Sequence, residues 1–325
     1  MAMDWNNSMA ELLSALKGAD SIALISHVSP DGDTLGSALA LKLTLEKWGK
    51  EVAVCCQHTV PHILDFMNGA QTVCAPEALA DKAFDLAVAI DVADLGRMGG
   101  CKEVFEKAKA TAQVDHHGTN PAFAQVNLVD AQACSTGEII YEIIEKMGVE
   151  TDKQMAVCLY TAISTDTGNF SFDNTTARAF EIMSSLLKCG LPLNELTRTL
   201  FRLRTREQSK LLGKALDSLT FYEDNRIGGI CLRLKDFEAC GALPEHSEGI
   251  VNYGIDVAGV QMAFLCRETA AGDIRVSLRA LPPCNVAKVA SRFGGGGHAL
   301  AAGCTMHTSL EEAAQQLLEA MKEEL

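Results

Sequence analysis

Four short apolar segments alternate with helix-like segments through roughly the first 190 residues of the chain. The apolar segments are residues 21–27 (SIALISH), 51–56 (EVAVCC), 85–91 (DLAVAID) and 110–115 (ATAQVD). Short apolar runs bounded by polar or glycine-rich turns are typical of buried strands. The helix-like segments, with capping residues or a glycine stop, are 34–49, 135–148 and 151–164. This alternation predicts an α/β fold with a doubly wound, mainly parallel sheet and helices on both faces.

A basic helical segment, residues 193–216, follows this region. Its basic residues are Arg198, Arg202, Arg204, Arg206, Lys210 and Lys214. Beyond it, strand-like and helix-like runs predict a smaller α+β domain, with strands at 227–235, 260–269 and 273–281 and helices at 285–293 and 310–325. We therefore expect a first domain over 1–190, a helical linker over 191–215 and a second domain over 216–325. The basic face of the linker is either solvated or guides short nucleic acid.

Composition restricts the classes of partner and the compartment. The 325 residues carry a formal net charge of −14, which argues against an extended clamp for duplex DNA, because such clamps make many Lys and Arg contacts to phosphates. The twelve cysteines include no C-x-x-C pair, so we expect reduced thiols in the core. The N-terminus lacks a signal-like pattern, and the apolar runs are short. We therefore expect a cytoplasmic protein without membrane association.

Acidic and imidazole side chains recur at the ends of the predicted strands and past one helix. They are His27, Asp31 and Asp33; Asp91; Asp115, His116 and His117; and Asp166. Each has a simpler interpretation when it is taken alone, because P-D-G is a common turn and an aspartate there caps the next helix. In an open parallel sheet, however, the carboxyl ends of the strands meet at one edge, where ligands bind.

Five carboxylates gathered at that edge would repel one another unless cations neutralised them. Mixed carboxylate and imidazole donors suit Mn²⁺ better than the all-oxygen sites typical of Mg²⁺ or Ca²⁺. Two such ions about 4 Å apart, sharing one carboxylate, form the arrangement that promotes in-line displacement at phosphorus. The helix that begins near Thr34 adds a positive dipole for an anion.

Four segments of the chain resemble the motifs of a known family. The segments HVSPDGD, AID, VDHH and STDTGNF, in that order, look like the four motifs of the DHH phosphoesterases. Residues 276–303, VSLRALPPCNVAKVASRFGGGGHALAAG, resemble the associated DHHA1 domain. The length and layout look most like the NrnA-type members, described as nanoRNases and pAp phosphatases. The resemblance implies a DHH catalytic domain joined by the linker to a DHHA1 substrate-binding domain.

The resemblance also implies roles for individual residues. One Mn²⁺ would be bound by His27, Asp31 and Asp91, and the other by Asp33, Asp91, His116 and Asp166; Mg²⁺ or Co²⁺ are alternatives. Asp115 would orient an imidazole, and His117 would face the substrate phosphate. In the second domain the nucleotide would be contacted by Arg279, Asn285, Gly295, Gly296, Gly297 and His298.

Two of these assignments have open alternatives. The glycine run from Gly294 to Gly297 can form an anion-binding nest of backbone amides, or it can simply end the preceding helix. Arg97 can reach a phosphate from the loop after the third strand, or it can be a solvated surface residue.

The expected activity is removal of nucleotides from short single-stranded RNA or linear dinucleotides, with cleavage of the 3′-phosphate of pAp, by two-metal attack of hydroxide on phosphorus. A cyclic-dinucleotide phosphodiesterase is the alternative, and a non-catalytic nucleotide-binding module is a third reading. Inorganic pyrophosphatase and a long-strand exonuclease of the RecJ kind are disfavoured by the GGGGH loop and by the short, acidic chain. The family resemblance implies a homodimer.

Overall fold

The computed structural model describes residues 5–325 and divides into two compact units, the first ending at Leu203 and the second running from Arg204 to Leu325. In the first unit the strands are β1 (Ser21–Ser26), β2 (Glu51–Cys55), β3 (Leu86–Ile90), β4 (Ala110–Asp115) and β5 (Val126–Val129). Its α-helices are α1 (Trp5–Gly18), α2 (Gly32–Lys47), α3 (Cys101–Lys107), α4 (Thr136–Met147), α5 (Lys153–Asp166), α6 (Ala177–Lys188) and α7 (Leu193–Thr197). Short 3₁₀ turns connect several of these elements, and a π-helical turn, Arg198–Arg202, follows α7.

The sheet of the first unit is wholly parallel, in the order β2-β1-β3-β4-β5. Alternate residues of its strands enter two separate apolar cores. Ile22 and Leu24 pack with α1, α2, α4 and α5 on one face, whereas Ala23 and Ile25 pack with α3 on the other. The predicted doubly wound sheet with helices on both faces is therefore confirmed.

The predicted helical connector is not one continuous helix. The chain is extended at Leu203 and Thr205, and α8 (Arg206–Ser218) then begins. Thr205 starts this helix with a capping box, in which its hydroxyl accepts from the Gln208 amide while the Gln208 side chain accepts from the Thr205 amide. Leu211 and Ala215 of α8 are buried in the core of the second unit.

The second unit contains a mixed six-stranded sheet, β10-β11-β9-β8-β7-β6, in which only β7 and β8 are parallel. Its strands are β6 (Thr220–Tyr222), β7 (Ile227–Leu232), β8 (Met262–Glu268), β9 (Ile274–Ala280), β10 (Gly296–His298) and β11 (Ala301–Met306). Its remaining α-helices are α9 (Leu234–Cys240), α10 (Asn252–Ile255), α11 (Val286–Ser291) and α12 (Leu310–Lys322). This is the predicted smaller α+β domain.

Helices cover the two faces of this second sheet unequally. The face bearing Phe264, Val276 and Leu278 is buried beneath α11 and α12. On the opposite face, apolar side chains of α8, α9 and α10 pack over the β7–β8 side, where Ala263 and Leu265 are buried. The β9–β11 side of that face stays open and forms the floor of a cleft.

All twelve cysteines are free, and nine of them are buried, as predicted for reduced core thiols. Within residues 5–325, none of the helices combines the length and apolar character that crossing a membrane requires.

Candidate active site

The strand order of the first unit places a crevice between β1 and β3. From β1 the chain crosses to β2 on one side and then returns to β3 on the other, so the carboxyl ends of β1 and β3 lie at a topological switch point. Ligands of open α/β sheets bind at such points. His27 follows β1 and Asp91 follows β3, and both residues are only 3% exposed.

The first group of converging side chains consists of His27, Asp31 and Asp91. The His27 Nε2 atom lies 3.5 Å from Asp31 Oδ2 and 3.6 Å from Asp91 Oδ2. The other ring nitrogen, Nδ1, lies 2.8 Å from the Val28 carbonyl oxygen. A proton on Nδ1 donated to that carbonyl leaves Nε2 facing the two carboxylates with a free lone pair, the form in which histidine binds a metal.

The second group consists of Asp33, His116 and Asp166. The His116 Nε2 atom is 3.8 Å from Asp33 Oδ2 and 3.7 Å from Asp166 Oδ2. It is also 3.7 Å from Asp91 Oδ1. Asp91 therefore presents one carboxylate oxygen to each group, as a bridging ligand would.

Asp91 and Asp33 are both fixed by the N-terminus of α4. The Thr136 hydroxyl donates to Asp91 Oδ1 over 2.8 Å, and the backbone amides of Thr136 and Gly137 donate to Asp33 over 2.8 and 2.9 Å. Ser37 Oγ also donates to Asp33. These hydrogen bonds orient the carboxylates and place the positive end of the α4 dipole against them.

The third group lies beside Asp91 and involves His117. Its Nδ1 atom is 2.7 Å from Asp115 Oδ1, so it donates a hydrogen bond to this fully buried carboxylate. Asn120 Nδ2 donates to the other Asp115 oxygen. The His117 nitrogen nearest to Asp91, at 3.7 Å, is the same Nδ1, so binding a metal through it would break the bond to Asp115. Asp115 therefore orients His117 rather than His116.

Arg97 lies in the 3₁₀ turn Leu95–Met98 after β3. Its Nη2 atom is 3.3 Å from His27 Nδ1, and its carbonyl accepts from the Val28 amide over 2.7 Å. The guanidinium thus stands at the rim of the first group, where it can reach an anion bound there.

The proximity of the carboxylates shifts their pKa values in the metal-free protein. Burial raises the pKa of Asp33 well above its ordinary value, and the charges of Asp91 and Asp166 add to the rise. Burial also raises the pKa of Asp166 to about 6, an effect that Asp91 reinforces and His116 opposes. Burial opposes the charged form of His27, but the nearby carboxylates of Asp31 and Asp91 outweigh burial and raise its pKa to about 10.

The donor set fits divalent cations. Most of the N···O separations within the two groups exceed hydrogen-bonding distance, whereas ligands bound to one ion at about 2.1 Å stand roughly 3–4 Å from one another. In each group the potential ligand atoms lie within 4.8 Å of one another. Buried carboxylates that repel one another and face imidazole nitrogens across such gaps are the environment that a divalent cation stabilises.

In the second unit, several residues predicted to bind the nucleotide form hydrogen bonds with the helix α11 next to them. Asn285 caps α11, because its Oδ1 accepts from the amides of Ala287 and Lys288. The amides of Gly294 and Gly295 donate to the carbonyls of Ser291 and Ala290, and Gly294 has φ +71°. These two amides therefore end the helix, which is the simpler of the two interpretations of the glycine run, the other being an anion-binding nest.

The remaining predicted residues lie on the exposed side of the second sheet. Gly296, Gly297 and His298 form β10, an exposed strand that pairs with β11. Gly297 has φ +144°, and a Cβ there would stand 2.6 Å from the Ala301 carbonyl oxygen, so a glycine is required at this position. Arg279, on β9, donates to the Leu278 carbonyl and lines the open cleft.

Comparison with known proteins agrees with this architecture. Residues 21–163 match the DHH family N-terminal domain, and residues 239–325 match the DHHA1 domain. The chain is 33% identical over 321 residues to a Thermus thermophilus protein named bifunctional oligoribonuclease and PAP phosphatase NrnA, covering 98% of this chain and 93% of that protein. The chain therefore belongs to the DHH phosphoesterase family and is a hydrolase acting on phosphodiester bonds.

Within the family, the similarity extends across both domains. A solved Bacteroides fragilis structure described as an exopolyphosphatase-related protein superposes with a TM-score of 0.90 at 27% identity, covering 98% of this chain and 96% of that one. A Listeria monocytogenes relative named cyclic-di-AMP phosphodiesterase PdeA is 23% identical, covering 93% of this chain but 47% of the relative. The two-domain fold is thus shared with the Bacteroides fragilis structure over nearly the whole of both chains.

Several residues that support the site escaped the sequence analysis. Thr136 and Gly137 were recognisable only as a helix start, and Asn120 carried no motif signal. Asn174, which donates to the Asp166 carbonyl, follows the STDTGNF segment in a stretch without helix or strand pattern. Thr136 and Gly137 contact carboxylates that are distant in sequence, which local spacing does not reveal. Asn120 and Asn174 contact aspartates only five and eight residues away, but they lie in loops without a recognisable pattern.

Proposed function

We propose that this protein is an exoribonuclease of short oligoribonucleotides that releases mononucleotides and also removes the 3′-phosphate of pAp. The observation that carries the proposal is the convergence of His27, Asp31, Asp33, Asp91, His116 and Asp166 into two groups sharing Asp91. The name of the Thermus thermophilus relative, with nearly complete coverage of both chains, supports the choice of substrates.

Two Mn²⁺ ions are the proposed cofactors, with Mg²⁺ or Co²⁺ as alternatives. His27, Asp31 and Asp91 would hold one ion, and Asp33, Asp91, His116 and Asp166 the other. Imidazole together with carboxylate favours Mn²⁺ over Mg²⁺ as the preferred metal. When bound, such ions supply positive charge beside the phosphate and lower the pKa of water.

The other side chains have proposed roles in binding and proton transfer. Arg97, at the rim of the first group, binds a non-bridging phosphate oxygen. The hydrogen bond from His117 Nδ1 to Asp115 raises the pKa of His117 and leaves Nε2 directed away from that carboxylate. A protonated Nε2 can then donate its proton to the departing oxygen. Arg279, Gly295, Gly296, Gly297 and His298, with the amide group of Asn285, are proposed to contact the nucleotide.

The test is a product time course with 5′-labelled di-, tri- and pentaribonucleotides and with pAp, in Mn²⁺. We expect mononucleotides from each oligomer and AMP from pAp. Asp91→Asn, which removes the shared carboxylate charge, should abolish both activities. Its control, Asp81→Asn, changes an exposed aspartate outside the site and should leave them intact. Absence of mononucleotide release from every oligomer would refute the proposal.

A cyclic-dinucleotide phosphodiesterase is the second candidate, and the similarity to the relative named PdeA favours it. The two functions differ in whether the substrate needs a free end. We therefore include c-di-AMP beside pApA and pAp under the same Mn²⁺ condition. Faster turnover of the cyclic substrate would replace the first proposal with the second.

A further inference from the structure

Three arginines project into the open cleft of the second unit. Arg275 and Arg279 lie on the same face of β9, separated by Ser277, and Arg267 of β8 is paired in register with Arg275. The cleft has a volume of about 1130 Å³, and its lining also includes Ser247, Glu248 and Gly249. Like charges placed directly opposite each other on adjacent strands destabilise a sheet, so the Arg267–Arg275 pair is unfavourable in the absence of an anion.

The two acidic side chains beside the arginines on β8 and β9 bind other partners, and Glu248 in the cleft lining forms no ion pair with Arg267, Arg275 or Arg279. Asp273, two residues before Arg275, has its Oδ1 atom 2.7 Å from His307 Nδ1. Glu268, beside Arg267, is paired with Arg233 and accepts from the Leu234 amide. In the part of the chain that the structure describes, none of the three guanidinium groups forms an ion pair, although the chain as a whole carries a net charge of −14.

Burial lowers the pKa values of two of these arginines, and repulsion between guanidinium groups adds to the effect in one of them. Burial lowers the pKa of Arg267, and the charge of Arg275 lowers it further, whereas the charge of Glu248 in the cleft lining opposes the shift. Burial also lowers the pKa of Arg279. Two half-buried guanidinium groups without carboxylate partners, with a third beside them, form a region that an anion stabilises.

The arginines stand at two different positions along the cleft. Arg279 lies four positions after Arg275 on β9, which corresponds to about 13 Å between their Cα atoms. This exceeds the separation of neighbouring phosphates in a nucleotide chain. Arg279 lies near the β10–β11 hairpin, opposite Ala301, whereas Arg267 and Arg275 lie at the other end, near Thr305 and His307.

We propose that Arg267 and Arg275 form a second phosphate subsite, which binds a phosphodiester one or more nucleotides away from the one held at Arg279. The site would take the backbone of a short single-stranded oligonucleotide, and a substrate as short as pAp would not reach it. The inference rests on the proposed oligoribonuclease function and adds a determinant of substrate length to it.

The test compares kcat/KM for pAp, a dinucleotide, a trinucleotide and a tetranucleotide in Arg267→Gln/Arg275→Gln. Losing charge-assisted hydrogen bonds to phosphate should lower kcat/KM for the tri- and tetranucleotide about tenfold or more. The value for pAp should change less than about twofold. The control, Lys235→Gln/Lys322→Gln, removes two positive charges from side chains of the same unit that do not line the cleft.

A binding measurement makes the result independent of catalysis. Fluorescence anisotropy of a labelled phosphorothioate trinucleotide should show weaker binding to the arginine variant and a shallower salt dependence, because each lost phosphate contact removes about 0.7 from the log–log slope. Unchanged binding and unchanged kcat/KM for every length would overturn the inference, as would an equal loss for pAp and the trinucleotide. If the wild-type protein cleaves none of the substrates, the proposed function fails, and anisotropy alone decides on the subsite.

Discussion

Asp91 is held in place by contacts that involve no metal ion. Its amide donates to the Val114 carbonyl, and its carboxylate accepts from Thr136. Its backbone has φ +60°, a left-handed conformation that only a few per cent of non-glycine residues adopt. Strained backbone of this kind is retained where the surroundings impose it, frequently at functional sites. The strain and the contacts together aim the two carboxylate oxygens at different groups.

His117 is proposed to donate a proton without binding a metal, so replacing it should affect activity but not metal content. We predict that His117→Gln keeps the wild-type manganese content but lowers kcat on a dinucleotide about 10²-fold or more, because a general acid contributes roughly 10²–10⁴. Metal content is measured by mass spectrometry and kcat by product release. His62→Gln, on a fully exposed side chain, is the control. Loss of manganese from His117→Gln would instead make His117 a ligand.

The pKa values predict how manganese affinity depends on pH. The pKa of His27 is raised to about 10 in the metal-free protein, so below that pH the ring holds a proton that a metal must displace. Asp166, with a pKa of about 6, adds a second proton below pH 6. Affinity should therefore rise with pH from about 5.5 to 8, with roughly one or more protons released per protein near pH 7. Calorimetric titration in buffers of different ionisation enthalpy measures this release; a pH-independent affinity would contradict it.

The carboxylates and imidazoles at the strand ends were predictable individually, because parallel strands bring their carboxyl ends together. The pairing of Asp115 with His117 rather than His116 was not predictable, because β4 ends at Asp115 and the strand's alternation of side-chain direction does not extend to the two histidines. Asn285 was expected from the family motif to contact the nucleotide. Its Oδ1 caps α11, and the nucleotide contact stays a prediction for its amide group.

At the scale of helices, glycines allow α2, α4 and α5 to approach closely. A Cβ on Gly36 would stand 2.4 Å from the Cys158 carbonyl oxygen, and one on Gly137 would stand 2.5 Å from the Ala162 side chain. Because α2 carries Asp33 and α5 ends at Asp166, the separation of these helices sets the distance between two of the carboxylates.

Gly36→Ala tests this dependence. The added methyl group would clash with backbone atoms of α5, and overpacking of this kind costs about 1–3 kcal/mol. We expect a lower urea midpoint together with weaker manganese binding. Gly18→Ala, where no heavy atom lies within 4 Å of the added Cβ, should change neither. Reduced stability with wild-type metal affinity would show that the helix separation does not set the site.

Strands and helices were predictable from the sequence where they contain a recognisable pattern of apolar residues. The apolar runs of β1 to β4 and the periodic patterns of α2, α4 and α5 were recognisable. By contrast, β11 consists of small residues, AAGCTM, and β10 is GGH, so neither has the alternation or β-branched side chains of a strand. β11 forms through pairing with β9, and β10 forms through pairing with β11. Local composition does not indicate either pairing.

At the scale of the molecule, the two units have separate apolar cores, and all the proposed metal ligands, from His27 to Asp166, lie in the first. Metal binding should therefore stabilise one unit only. We predict two calorimetric transitions for the full chain in EDTA. Mn²⁺ at about 100 times its Kd should stabilise one of them by about 2.7 kcal/mol and leave the other in place.

The Arg267→Gln/Arg275→Gln variant assigns the transitions to the units. Removing the repulsion between two like charges on the second sheet should raise the transition that Mn²⁺ leaves unchanged. The manganese-sensitive transition should keep its midpoint in this variant, because the proposed metal ligands lie in the first unit and the two arginines lie in the second. A single transition that responds to both manganese and the arginine changes would show that the two units unfold cooperatively, and the stabilisation by metal would then extend through the whole chain.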